Sequence, residues 1–252
     1  MSSTIFLLAL PVAVVSAIRG IWSPCGLSML SSLTPMTEAG RGNRFGVTAA
    51  WFATGGVAGG LSLGALAAAG AAGIDAVGLA PSTRLALGAV VALATAAVDL
   101  GLLGVELPIF KRQVDDAWLR RYRSWVYGAG FGWQIGFGVA TYIMTAGVLL
   151  TIALALLTAS PALALAIGGV FGLVRGSAVL IGRSATTPAA LGAVHQRLEA
   201  LAPASRAAAA WVQVLAAAAL AALAWHPAAG VAVVGLALLA TVRPTARLAL
   251  RP

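Results

Sequence analysis

The stretch "SWVYGAGFGWQIGFGVATYIMTAGVLLTIALALLTASPALALAIGGVFGLV", residues 124–174, runs for 51 positions without an Asp, Glu, Lys or Arg. A helix that crosses a hydrocarbon core needs about 20 apolar residues, so this run has room for two crossings. Two further charge-free runs, 45–74 and 207–242, frame it. With 60% of residues hydrophobic and 9% charged, against about 25% charged in soluble domains, the chain reads as an integral membrane protein.

Working outward along the chain, seven membrane segments are predicted: 5–33, 46–70, 84–105, 125–157, 161–181, 207–225 and 228–242. Turn signals separate them at "LTP" (33–35), "LAPS" (79–82), "TASP" (158–161) and "WHP" (225–227). The last segment is short, so six spans with an interfacial or re-entrant end is the alternative count. The fold class is therefore all-α, and the whole chain reads as a single polytopic membrane domain.

Basic residues test this scheme, because Lys- and Arg-rich loops stay cytoplasmic. With the N-terminus outside, Arg41, Arg44, Lys111, Arg112, Arg120, Arg121, Arg123, Arg183, Arg197, Arg206, Arg243, Arg247 and Arg251 fall on the cytoplasmic side. Arg84 alone falls outside, and Arg19 and Arg175 lie within spans. The net charge of +9 is thus a statement of orientation and not of nucleic-acid binding. The expected location is a bacterial cytoplasmic membrane with the C-terminus inside. A cleaved signal peptide over "IFLLALPVAVVSA" (5–17) is disfavoured, since no basic residue precedes it and apolar sequence continues past the candidate site.

The two halves echo one another. "IRGIWSPCGLSM" (18–29) and "AGFGWQIGFGVA" (129–140) align on Trp22 and Trp133, which sets Cys25 against Gly136 and Pro24 against Ile135. Each is followed by a span that opens on Phe-Gly-aliphatic, at 45–47 and 171–173. The basic loop 106–124 joins the halves, so 5–105 and 125–225 would insert with opposite sense as two inverted three-helix repeats, with 228–242 as an extra span.

The motif "GIWSPCGLSMLSSLTP" (20–35) resembles the first-span motif of the reductant-conducting family of CcdA and the membrane domain of DsbD. The resemblance implies thiol-disulfide exchange across the membrane, serving cytochrome c biogenesis or a disulfide reductase, with a thioredoxin-like or other thiol protein as partner. Cys25 would be the catalytic exchange point. The sequence departs from that pattern where the second cysteine belongs, because residue 136 is Gly and Cys25 is the chain's only cysteine. Three readings of Cys25 stand side by side: exchange through a mixed disulfide with a partner, lining of a solute path, or inert packing.

Other candidates follow from the cost of charge in a bilayer. Arg19 lies inside the first segment, where a guanidinium is expected to face a bundle interior or a wet cavity. Gly20 and Pro24 would break the helix between Arg19 and Cys25. Asp99 and Glu106, seven residues apart, share one face of the third segment and are candidate partners of Arg19 or Arg175, either as charge pairs or along a substrate path. Gly128, Gly132 and Gly136 form a four-residue ladder suited to close helix packing.

His195 and His226 are read as loop residues, and Asp115–Asp116, in the basic stretch "FKRQVDDAWLRRYRSW", as part of an amphipathic surface helix or a docking site and not a catalytic dyad. No metal or cofactor site is expected, and whether the chain is an enzyme stays open. Besides thiol-linked traffic, the function classes considered are a small-solute or ion transporter on the same scaffold and a non-catalytic subunit of a membrane complex. The expected surroundings are the lipid bilayer, with complex subunits or a second copy as further partners, and no nucleic acid.

Overall fold

The computed structural model describes residues 1–105, 107 and 114–248, with side chains described through 241. The described residues form helices α1 (Ser2–Arg19), α2 (Pro24–Ser32), α3 (Pro35–Gly40), α4 (Phe45–Val77), α5 (Pro81–Asp99), α6 (Trp118–Arg121), α7 (Ser124–Phe137), α8 (Gly147–Leu157), α9 (Pro161–Ser177), α10 (Pro188–Ala224) and α11 (Pro227–Leu248). Six of them begin on proline, where the missing N–H costs nothing and the fixed φ already suits the helix. Glu106, Lys111 and Arg112 lie outside the described residues.

Among the described residues, five stretches are long and apolar enough to cross a membrane: 2–22, 45–77, 81–99, 161–184 and 188–224. The segment expected at 125–157 is not one helix. It divides into α7 and α8, with 14 and 11 residues, which at 1.5 Å per residue reach about 21 and 17 Å, short of a 30 Å core. Gly138, at φ +76°, ends α7 in a conformation that a side chain would strain. Non-helical backbone at such a place must be enclosed by protein. Thr141, Ile143, Thr145 and Ala146 are accordingly buried.

A second departure concerns 182–225. Here a loop was expected before a span opening at 207, but α10 runs unbroken for 37 residues from Pro188 and carries His195 and Arg197 on its first half. Thr187 caps it by accepting from Ala190 N at 3.2 Å. His195 is therefore helical, with Nε2 3.3 Å from Ser31 Oγ.

The core is built around α4, which packs closely on α7 along one face and on α9 along another. A Cβ at Gly56 would lie 2.6 Å from Gly176 Cα, and one at Gly136 would lie 2.7 Å from the carbonyl carbon and Cα of Gly56. In lipid there is no hydrophobic drive between helices, so this small-residue contact is what binds them. Position 136 has no room for a cysteine side chain. α1 lies against α8, α9 and α10, and α5 lines up with α10.

Candidate functional site

The first segment breaks between Arg19 and Cys25. α1 ends at Arg19, a single 3₁₀ turn covers Gly20–Trp22, and Ser23 turns extended and caps α2 by accepting from Gly26 N at 3.0 Å. The break points Arg19 away from Cys25 and into a different environment. Arg19 is 5% exposed, donates from Nη1 to Ser205 Oγ at 3.2 Å, and stands 5.8 Å from the Trp22 ring centroid. Trp22 Nε1 in turn donates to Leu198 O at 2.7 Å, which ties the turn to α10.

Arg19 and Asp99 line one cavity of about 230 Å³, together with Arg206, Met144 and Ala209. They meet because α1 and α5 both end here, beside α10 and the broken segment. Asp99 spends its oxygens on protein donors. Oδ1 accepts from Ala146 N at 2.8 Å, while Oδ2 accepts from Gln213 Nε2 at 2.6 Å and from Thr145 Oγ1. Ala146 is the N-cap of α8, so the carboxylate sits at the positive end of that half-helix. Among the described residues the ion pair within 4.0 Å is Arg41–Glu38, so Arg19 and Asp99 share a cavity without pairing directly.

Behind Asp99 lies a buried polar layer. Gln213 also donates to Ala209 O at 2.8 Å, while its Oε1, Ser16 Oγ and Thr141 Oγ1 are buried without a hydrogen-bond partner. Ser16 Oγ and the Gln213 side chain both press on Gly147. Gln213 was missed in the sequence, although a lone amide in the charge-free run 207–242 was a usable signal.

Arg175 belongs to another place. It is buried, donates from Nε to Ile135 O at 3.1 Å, and lays its guanidinium across Gly20, where a Cβ would collide with it. Gly20 thus keeps open the space that Arg175 fills beneath the break. Cys25 is 2% exposed and borders a gap of about 10 Å³ with Met29, Phe131 and Ile135, room for at most one water. Gly132, like Gly136, is in backbone contact with α4, its Cβ position 2.9 Å from Gly56 N.

A third polar cluster was not foreseen. Glu38, fully buried, accepts from Arg41 Nη1 at 2.7 Å, from Thr48 Oγ1 at 2.6 Å and from Tyr127 OH at 2.7 Å. Asn43 Nδ2 donates to the same phenol at 3.0 Å. The segment "TPMTEAGRGNRF" reads as a turn between spans, and nothing in its composition announces that its one acid faces inward.

The architecture and the polar cavity define the class: a multi-pass helical membrane protein with the charged side chains of Arg19 and Arg175 buried in the bundle. Three relatives are methylamine utilization proteins named MauF. Those of Paracoccus versutus and Paracoccus denitrificans are 36% and 35% identical over 173 and 170 residues, and that of Methylophilus methylotrophus is 34% identical over 170. Each alignment covers 65% of this chain and 58–60% of the relative, so the chain spans about three-fifths of their length. No family model matches the chain. No solved structure matches it.

These relatives overturn the assignment to the CcdA and DsbD family drawn from "GIWSPCGLSMLSSLTP", and with it the thiol-relay function and the cytochrome c biogenesis role. They give no support to the transporter or subunit readings either. The short motif misled because a Gly, a Ser-Pro pair and a Cys also make a capped helix break, which is what 20–26 is.

Proposed function

We propose that this chain is a membrane component of methylamine utilization and that the Arg19–Arg206–Asp99 cavity is its working site. The identity of 34–36% to three MauF proteins over about 170 residues carries the reading. The cavity supports it because Arg19 is buried and Asp99 half-buried there, with exposed Arg206 at its rim, and ionisable groups inside a bundle are costly and tend to be functional. Its chemistry narrows the role. Asp99 is saturated by protein donors while two guanidiniums line the space, so the cavity suits an acceptor-rich or anionic group and repels a small ammonium ion.

With α7 and α8 counted together as one crossing and α11 as the last, seven crossings follow, with 5–105 and 125–225 inserted in opposite sense. The distribution of the sixteen basic residues supports an outside N-terminus and a cytoplasmic C-terminus in a bacterial cytoplasmic membrane.

The test is growth. Removing the chain from its native host should abolish growth on methylamine and leave growth on an unrelated carbon and nitrogen source intact. Undiminished growth on methylamine without the chain would refute the proposal.

A further inference from the structure

A second cavity lies at the end of the bundle where α4 and α7 begin. It holds about 420 Å³ and is lined by Arg41, Asn43, Arg120, Arg123, Ser124 and Tyr127 among others. Three arginines therefore line one space, and among the described residues its wall holds no acidic side chain. Of the three, Arg41 is held by Glu38 Oε1 at 2.7 Å and by Ser32 O at 2.8 Å, while the side chains of Arg120 and Arg123 are exposed. The floor is rigid, because Asn43 donates to Tyr127 OH and Tyr127 donates to buried Glu38.

Two further observations point to the occupant. α7 opens into the cavity, and its N-cap Arg123 supplies no side-chain acceptor to the first turn, so the positive end of a 14-residue helix adds to the three arginines. Beside it stand Trp51 and Trp125, 42% and 50% exposed with ring centroids 6.0 Å apart. Exposed tryptophans at a helix end mark the depth of the lipid headgroups.

We propose that this cavity binds a phosphate group, presented at that depth by an anionic phospholipid headgroup. The guanidinium forks match phosphate oxygens in geometry as well as charge, and the tryptophans provide the flanking contact for glycerol and upper acyl carbons. The inference is independent of the methylamine reading, since none of its residues lines the Arg19–Asp99 cavity.

The experiment is native mass spectrometry of the purified full chain in detergent with added phosphatidylglycerol, phosphatidylcholine or inorganic phosphate. Its comparison is the Arg120→Gln/Arg123→Gln variant. Both side chains are exposed, and a matching thermal melt verifies that the variant is folded. Phosphatidylglycerol should be retained in preference to phosphatidylcholine, and the variant should bind it about thirtyfold more weakly, the loss expected for two arginines at a membrane surface. Retention of inorganic phosphate with the same sensitivity to the variant, and without phosphatidylglycerol binding, would keep the phosphate site and move its source to solution. Equal retention of the two lipids without phosphate binding, or a variant that binds as well as the parent, would overturn the proposal.

Discussion

Placing a cysteine at position 136 tests the packing account at its tightest point. A Cβ there would sit 2.7 Å from Gly56 C and Cα and closer still to the Gly56 carbonyl oxygen. All three are backbone atoms that cannot rotate aside. To restore ordinary contact the α4–α7 seam must open by about 1 Å, a gap that forfeits a quarter to a half of each dispersion contact along it. The same seam is held by Gly55, Gly59 and Gly132, each in contact with backbone across it, so the loss is shared along several turns. Overpacking of a close-fitted core costs about 1–3 kcal/mol, and the upper end applies because the obstacle is backbone. The assay is unfolding of the detergent-purified chain by sodium dodecyl sulfate titration, with Leu149→Cys as control. Leu149 is 39% exposed on α8, so its cysteine adds a thiol without adding bulk inside. Gly136→Cys should unfold at clearly lower denaturant fraction than the control. A Gly136→Cys protein as stable as Leu149→Cys would refute the argument.

Other positions give separate outcomes. Gly20→Ala should destabilise because the new methyl meets the Arg175 guanidinium, and Arg175→Ala should relieve part of that cost. A double-mutant cycle on unfolding should show coupling of about 1 kcal/mol or more, and additivity would contradict the contact. Tyr127→Phe removes a donor to the buried Glu38 carboxylate and should cost about 1.5–3 kcal/mol, whereas Glu38→Ala, which strands Arg41, Thr48 and Tyr127 together, should cost about 3–5 kcal/mol. Equal effects in the same titration would mean the cluster is not carried by the carboxylate. Gln213→Leu should cost about 1–3 kcal/mol by leaving Asp99 Oδ2 short of a donor, and a neutral result would remove Gln213 from the site.

The membrane character was legible from charge-free runs, because a bilayer forbids unpaired charge and so writes itself into composition. The interruption at 20–24 was legible too, since Gly and Pro act on the backbone locally. The division of 124–157 into two half-helices was not. Its cause is one glycine at φ +76° followed by an irregular, largely enclosed stretch, and "GVATYIMTAG" carries no charge or proline to announce it. The residues of the candidate site divide the same way. Arg19 and Asp99 stood out as charges within spans. Arg206, Gln213 and Ser205 became members only when α10 proved to be a single helix passing behind both. Glu38 was hidden because the burial of an acid on the short helix α3 depends on Tyr127 and Thr48, 89 and 10 residues away. The motif around Cys25 shows the opposite error, in which a stretch that suffices for a capped break was read as redox chemistry.

The most direct test of the working site is growth on methylamine of the native host carrying only Asp99→Asn or only Arg19→Gln, with membrane levels of each variant matched to the parent chain. Asp99→Asn puts an amide nitrogen against the donors of Ala146 or Gln213, and Arg19→Gln removes one of the two cations from the cavity. The account expects both variants to be present in the membrane and growth on methylamine to fail or fall sharply while growth on an unrelated source is unchanged. Normal growth of both variants on methylamine would contradict the assignment of this cavity.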